Sequence, residues 1–250
     1  VEFDFNAYAL KSVTTGQGAA QYLTIPGCAR LQDEGAPDLP VISRSVVIPQ
    51  TAATEVHIVA SDYVELEDMQ ILPSRGIITR DKDPETIPFT YGPEYTQDAF
   101  YPGVVAQGNE PYNIRNVRGQ SITVNPVQYN PVTKTVRIYT KVIVEVVEST
   151  EKGANAIQDN PAVKNDEVFE NVLENHFLNY EASRTKLSEG KNMLIVCNSS
   201  YMTAMQEFKS WKESIGFTVN LVDYANIGSA SALKTYVQNQ YNQNGIGYLL

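Results

Sequence analysis

Up to about residue 148, apolar residues recur at every second position between Pro and Gly punctuation, which predicts antiparallel strands with one buried face. Val1, Phe3 and Phe5 alternate with Glu2, Asp4 and Asn6, Val46-Val47-Ile48 ends at Pro49, and Val56-His57-Ile58-Val59 follows a short polar turn. The clearest unit is a hairpin with a first strand over 121–129, a turn at Asn130-Pro131-Val132-Thr133 and a second strand over 134–147. In that second strand Val136, Ile138, Val142, Val144 and Val146 share one face and Arg137, Lys141 and Glu145 the other, so one side is buried and one is wet. Pro126 has no N–H to give to a ladder, so it predicts an edge or a bulge in the first strand. Between 73 and 119, Pro84, Pro88, Pro93, Pro102 and Pro111 prevent long regular elements. A loop region of that length is either functional or mobile, or a poorly structured insertion.

Residues 148–166 are polar and read as a linker. Phe169, Val172, Leu173, Phe177 and Tyr180 then recur at helical spacing, with Asn165 or Asp166 as N-cap. A second polar segment, 182–192, precedes a change of class. Met193-Leu194-Ile195-Val196-Cys197 is a continuous apolar run, as in a strand covered on both faces. Ala204, Phe208, Trp211 and Ile215 mark a helix closed by Gly216, and 217–222 is a second strand. Ser229 or Ser231 caps a helix carrying Leu233, Val237 and Tyr241, Gly245 ends it, and Tyr248-Leu249-Leu250 opens a third strand. The order β-α-β-α-β predicts the start of a parallel α/β sheet, expected to be less than a complete domain. The predicted organisation is therefore a β-rich, sandwich-like domain over 1–180, a linker over 181–192 and an α/β part over 193–250, α+β overall.

Composition narrows the partners. The chain of 250 residues is 42% hydrophobic, enough for a core, and carries 29 acidic against 19 basic residues, net −10. That excess repels phosphate backbones and argues against nucleic acid. No stretch approaches the ~20 apolar residues of a membrane span. The two cysteines, Cys28 and Cys197, fall in different predicted domains, which leaves the redox compartment open.

Candidate chemistry is sparse. There is no P-loop, GxGxxG, HExxH or CxxC pattern. His57 lies in a β pattern and His176 on a helix, both expected as half-buried, satisfied imidazoles. Cys197 ends the first parallel strand, where α/β folds bind ligands, but a buried Cys is more often a small hydrophobe than a nucleophile. The acidic groups Asp33-Glu34 with Asp38, and Glu65 with Glu67 and Asp68, lack the alternating ligands of a calcium loop and read as solvated faces. No cofactor is expected, calcium having no specific motif to support it.

Two segments nevertheless resemble parts of one family. Gly35-Ala36-Pro37-Asp38-Leu39-Pro40-Val41, with Val47-Ile48-Pro49, resembles the start of gingipain-family prosegments. Asn125-Pro126-Val127-Gln128-Tyr129-Asn130-Pro131, with Thr135-Val136-Arg137-Ile138-Tyr139, resembles the hairpin near their end. Met193 onward, through Glu207-Phe208-Lys209-Ser210-Trp211-Lys212 to Gly247-Tyr248-Leu249-Leu250, is similar to the opening of the gingipain catalytic domain, a caspase-like α/β fold.

The resemblance implies a secreted, periplasmic or cell-surface cysteine endopeptidase zymogen. Its prosegment would assist folding and block the active site until removed. It also implies that the catalytic Cys and His lie beyond Leu250, so Cys197 does not inherit the nucleophile role and this chain is expected to be inactive. The partners it implies are the rest of the catalytic domain and peptide substrates. Prosegments of this kind block a pocket with a basic residue, which makes Arg115 and Arg118 inhibitory candidates. Cleavage after a basic residue just before the first catalytic strand makes Arg184 the expected processing site. The competing readings are a cell-surface binding module with a degenerate, non-catalytic α/β part, and a stand-alone inhibitor.

Overall fold

The computed structural model describes residues 1–157, 167–181 and 191–250. The chain divides into two compact units, Val1–Tyr112 with Gly119–Ala156, and Asn113–Arg118 with Ile157–Leu250.

The first unit is built from β1 (Glu2–Asp4), β2 (Ala9–Thr15), β3 (Gly18–Thr24), β4 (Ala29–Arg30), β5 (Pro40–Val47), β6 (Ala52–Leu66), β7 (Ala106–Gly108), β8 (Tyr112–Ile114), β9 (Val117–Val124), β10 (Val127–Asn130) and β11 (Thr135–Lys152), except that residues 113–114 of β8 and 117–118 of β9 fall in the second unit. Strand β11 is the spine of one antiparallel sheet. Its one edge pairs with β6 from Val136↔Leu66 to Lys152↔Ala52, and the other edge carries β10 and then β1. The predicted alternation holds: Val136, Ile138, Val142 and Val144 are buried. On the opposite face Arg137 binds the Glu65 carboxylate through Nε at 3.0 Å and Nη2 at 2.8 Å. The second sheet runs β4-β5-β9-β7, with β8 also on β9. Both sheets feed one core, Phe3, Ile138 and Val142 from the first and Val46, Ile122 and Val124 from the second, joined by Leu23, Leu39 and Ile71. Each such side chain contributes about 1.5–3 kcal/mol of burial, and two sheets sharing one core make the unit sandwich-like.

The predicted strand 121–129 is in fact two strands in different sheets. Strand β9 ends at Val124, β10 starts at Val127, and Asn125-Pro126 is the corner between them. The proline cannot donate to a ladder, while its carbonyl accepts from the Tyr139 N–H at 2.8 Å.

The Pro-rich region is likewise more ordered than its composition predicts. It holds two short 3-10 turns, Pro84–Thr86 and Pro93–Thr96, and supplies β7 and β8. Residues 98–105 are tied down by the second recognised segment. Tyr101 and Tyr129 exchange backbone hydrogen bonds of 2.9 and 2.8 Å. Asn125 Nδ2 donates to the Val104 carbonyl at 2.8 Å, Gln128 Nε2 to that of Pro102 at 2.7 Å, and Asn130 Nδ2 to Asp98 at 2.9 Å. The first recognised segment is structural too. Gly35 takes φ +85°, and a Cβ there would stand 3.2 Å from the Gly92 backbone.

In the second unit, β12 (Lys191–Cys197), β13 (Phe217–Asp223) and β14 (Tyr248–Leu249) form a parallel sheet in the order β13-β12-β14, with α1 (Glu167–His176), α2 (Met202–Ser214) and α3 (Ala230–Asn244). The Ser229 side chain caps α3 by accepting from the Ala232 N–H, and Gly245 ends it at φ +58°. The inward stripe of α2 is Met205 and Phe208, packed on Met193, Ile195 and Val219. The predicted stripe is displaced: Trp211 is 54% and Ile215 47% exposed. Both stripes satisfy three- and four-residue spacing, so periodicity could not choose between them. On α1, Leu173 is buried as expected but Val172 is exposed, and buried Phe177 lies just past the helix end. The caps predicted at Asn165 and Asp166 lie outside the described residues. The whole is a mixed α/β chain in which strands predominate. No helix among the described residues is long and apolar enough to cross a membrane.

Candidate functional site

Strands β8 and β9 form a hairpin whose connection is Arg115-Asn116. Arg115 adopts φ 53°, a left-handed conformation that costs a side-chain-bearing residue about 1–2 kcal/mol. Such strain persists where the surroundings over-determine it, and it concentrates at functional positions. Residues Asn113–Arg118 belong to the second unit. There the Arg115 guanidinium lies 3.9 Å over the centre of the Phe169 ring of α1, and its Nη2 stands where a Cβ at Gly247 would come within 2.9 Å. A cavity of ≈ 430 Å³ adjoins it, lined also by Tyr241, Ile246, Gly247 and Tyr248. Within this packing Arg115 Nη1 and Asn116 Oδ1 are buried with no hydrogen-bond partner among the described residues. A buried cationic donor with no partner among the described residues favours a carboxylate or carbonyl acceptor beside it.

Arg118 is placed quite differently. It lies within β9, fully buried, and burial lowers its pKa. The two sequence candidates are therefore an arginine at a turn and an arginine in a strand. Arg184 lies outside the described residues.

The other candidates supply no dyad. Cys197 ends β12, half-buried, with its Sγ 3.5 Å from the Met202 thioether. Cys28 is also free, and burial pushes its thiol pKa up, which disfavours the thiolate. His57 is more exposed than the sequence suggests and lies 3.2 Å from Glu55. His176, at the end of α1, is exposed and packs edge-on to Phe177 at 4.7 Å. Three of the acidic candidates are engaged within the chain: Asp38 with Arg30 at 2.8 Å, Asp33 with the Tyr101 hydroxyl at 2.6 Å and Glu65 with Arg137. No group of three or more His, Cys, Asp or Glu able to hold a metal occurs among the described residues. Sequence reasoning missed Phe169 and Gly247 as neighbours of Arg115. The helical spacing had marked Phe169 only as an apolar face residue.

Comparisons with known proteins cover the whole chain. The family model Propeptide_C25 matches residues 1–188, and that of Peptidase family C25 matches residues 186–250. Gingipain R2 of Porphyromonas gingivalis is 36% identical over 98% of this chain, and Lys-gingipain of the same organism 26% over 96%. The chain spans about a third of the length of that gingipain R2, 34%. Among solved structures, the complex of Porphyromonas gingivalis RgpB pro- and mature domains matches with TM-score 0.67 and 39% identity, over 72% of this chain and 91% of that one. A structure describing zymogenic latency of gingipain K from that organism matches with TM-score 0.51 and 25% identity, over 59% of this chain and 85% of that one.

Proposed function

The chain belongs to peptidase family C25, with its propeptide joined to the start of its peptidase domain, and from that premise we propose that it is the N-terminal part of a secreted cysteine endopeptidase zymogen. The prosegment assists folding and occupies the active-site cleft until it is removed. The parallel order β13-β12-β14 with helical crossovers supports a caspase-like catalytic domain. In such a domain a Cys thiolate, activated by a His base, attacks the peptide carbonyl while backbone N–H groups hold the oxyanion. Both residues are expected beyond Leu250, where the acceptor for the prosegment's basic residue also belongs.

The observation that carries the inhibitory part is the state of Arg115. It stands at a strained turn with a buried Nη1 donor that has no partner among the described residues. Of the two candidates, Arg115 fits the role of a pocket-blocking residue. Arg118 would have to leave a strand interior. Removal of the prosegment is assigned to cleavage after Arg184, because the polar 182–192 segment precedes β12 and a cut there spares both apolar patterns.

The test uses the full-length precursor. The mature enzyme is expected to begin at Thr185 and to turn over fluorogenic Arg or Lys peptides only after that cut, and Arg115→Ala is expected to raise the activity of the uncut form. A mature N-terminus before residue 180, or inside the strand that follows Met193, refutes the processing site. The 250-residue chain alone should show no turnover. Turnover that disappears with Cys197→Ala would refute the assignment of catalysis to residues beyond it.

A further inference from the structure

Five side chains from five segments form a continuous stack in the second unit. The Arg115 guanidinium lies 3.9 Å over the Phe169 ring. Phe169 is tilted by 47° against Tyr248 of β14 with ring centres 6.0 Å apart, and Tyr248 meets Phe217 of β13 edge-on at 5.1 Å. The Lys212 ammonium of α2 closes the run, 4.9 Å from the centre of Phe217. A cation thus stands at each end of three rings, the arrangement that ring quadrupoles favour.

Phe169 stands between the buried and the exposed apolar residues of its segment, Val172 being exposed. Leu173 and Phe177 are buried, whereas Phe169 is only half-buried, and Arg115 lies over its ring. At the guanidinium itself, Nη1 makes no hydrogen bond among the described residues, so no partner at that nitrogen sets the plane of the group. The ring beneath it does. Gly247 leaves the necessary room, since a Cβ there would stand 2.9 Å from Nη2.

We propose that Phe169 is a positioning residue for Arg115, its ring face fixing the guanidinium plane and hence the direction in which the unpaired Nη1 donates. This rests on the reading of Arg115 as the inhibitory residue. Within it, α1 becomes part of the inhibitory device and the hairpin tip does not act alone. A flexible arginine blocking a pocket must lose its rotamer freedom on binding, and one already laid on a ring has lost it beforehand.

The test is a double-mutant cycle in the full-length precursor, read as the peptidase activity that escapes from the uncut form. Phe169→Leu, which keeps apolar bulk but removes the ring, is expected to raise that leak about tenfold. Phe169→Tyr is expected to restore latency. In an Arg115→Ala background Phe169→Leu is expected to add less than about twofold. Equal effects of Phe169→Leu in both backgrounds would overturn the proposal, because the ring would then act independently of the arginine. If Arg115→Ala leaves latency unchanged, it is the inhibitory assignment that fails. Positioning is then read separately in the 250-residue chain by amide exchange. Phe169→Leu should speed exchange of residues 113–116 about tenfold while leaving β12 unchanged. Unchanged exchange at 113–116 overturns the positioning role whatever the enzyme does.

Discussion

Asp38 shows how a single residue carries two opposed effects. Its carboxylate accepts from Arg30 Nε at 2.8 Å, yet desolvation outweighs the arginine and raises its pKa above the ordinary 3.8. A raised acid binds its proton more tightly in the folded state. Between 3.8 and the higher folded value the native state therefore holds more protons than the unfolded one, and stability falls as pH rises through that window. The stability advantage of the wild type over Asp38→Asn should accordingly shrink as pH is raised above 3.8 and level off by neutrality. Urea titrations from about pH 3.5 to about pH 7 measure it, and an advantage that grows with pH would show that the ion pair dominates. Gly35, three residues earlier, is constrained by backbone alone. Its φ of +85° and the Gly92 backbone 3.2 Å from a would-be Cβ penalise any side chain twice. Gly35→Ala should cost about 2–4 kcal/mol by urea unfolding. Gly27→Ala, at φ +77° but in open space, should cost only about 1–2 kcal/mol. Equal costs would mean that the close approach contributes nothing.

At the scale of elements, the second recognised segment works as a clamp on a loop. Gln128 donates to the Pro102 carbonyl at 2.7 Å and accepts from the Tyr139 hydroxyl at 2.9 Å, so one amide links the 98–105 stretch, β10 and β11. Gln128→Leu strands both partners in a buried setting at about 1–3 kcal/mol each. A total loss of about 2–5 kcal/mol is expected in urea titrations. Faster amide exchange confined to 98–105 should accompany it, and a loss of stability without that signature would leave the clamp unsupported. Elements also show what could be read from the chain beforehand. The faces of β11 followed from alternation alone, because Val136, Ile138, Val142 and Val144 fall at even spacing with Arg137, Lys141 and Glu145 on the alternate positions. The stripe of α2 did not, because Trp211 and Ile215 offer as good a helical spacing as Met205 and Phe208. Only the sheet lying against the helix selects between them. The strand over 121–129 failed for a related reason: Pro126 announced a break, but not that the chain would change sheets there.

At the scale of the molecule, the two units have separate cores, one fed by two antiparallel sheets and one by a parallel sheet and its helices. Two cores of different topology are expected to unfold in separate steps. The chain has one tryptophan, Trp211, which belongs to the second unit, so its fluorescence should report that unit's transition alone. In urea it should not coincide with the loss of amide-exchange protection in β11, which reports the first unit. Coincident curves would show a single cooperative fold. The sequence by itself determined that strands predominate and which family the chain belongs to, since these depend on periodicity, punctuation and short motifs that are local along the chain. It also named Arg115 and Arg118 together without separating them, both being basic residues just before the same strand. Tertiary structure alone gave them different settings. Arg118 is buried within β9, while Arg115 stands at a left-handed turn against the ring of Phe169, more than fifty residues away in sequence. Long-range packing of that kind leaves no periodic trace in the chain, because neither partner's immediate neighbours differ from those of an ordinary loop arginine or helix phenylalanine.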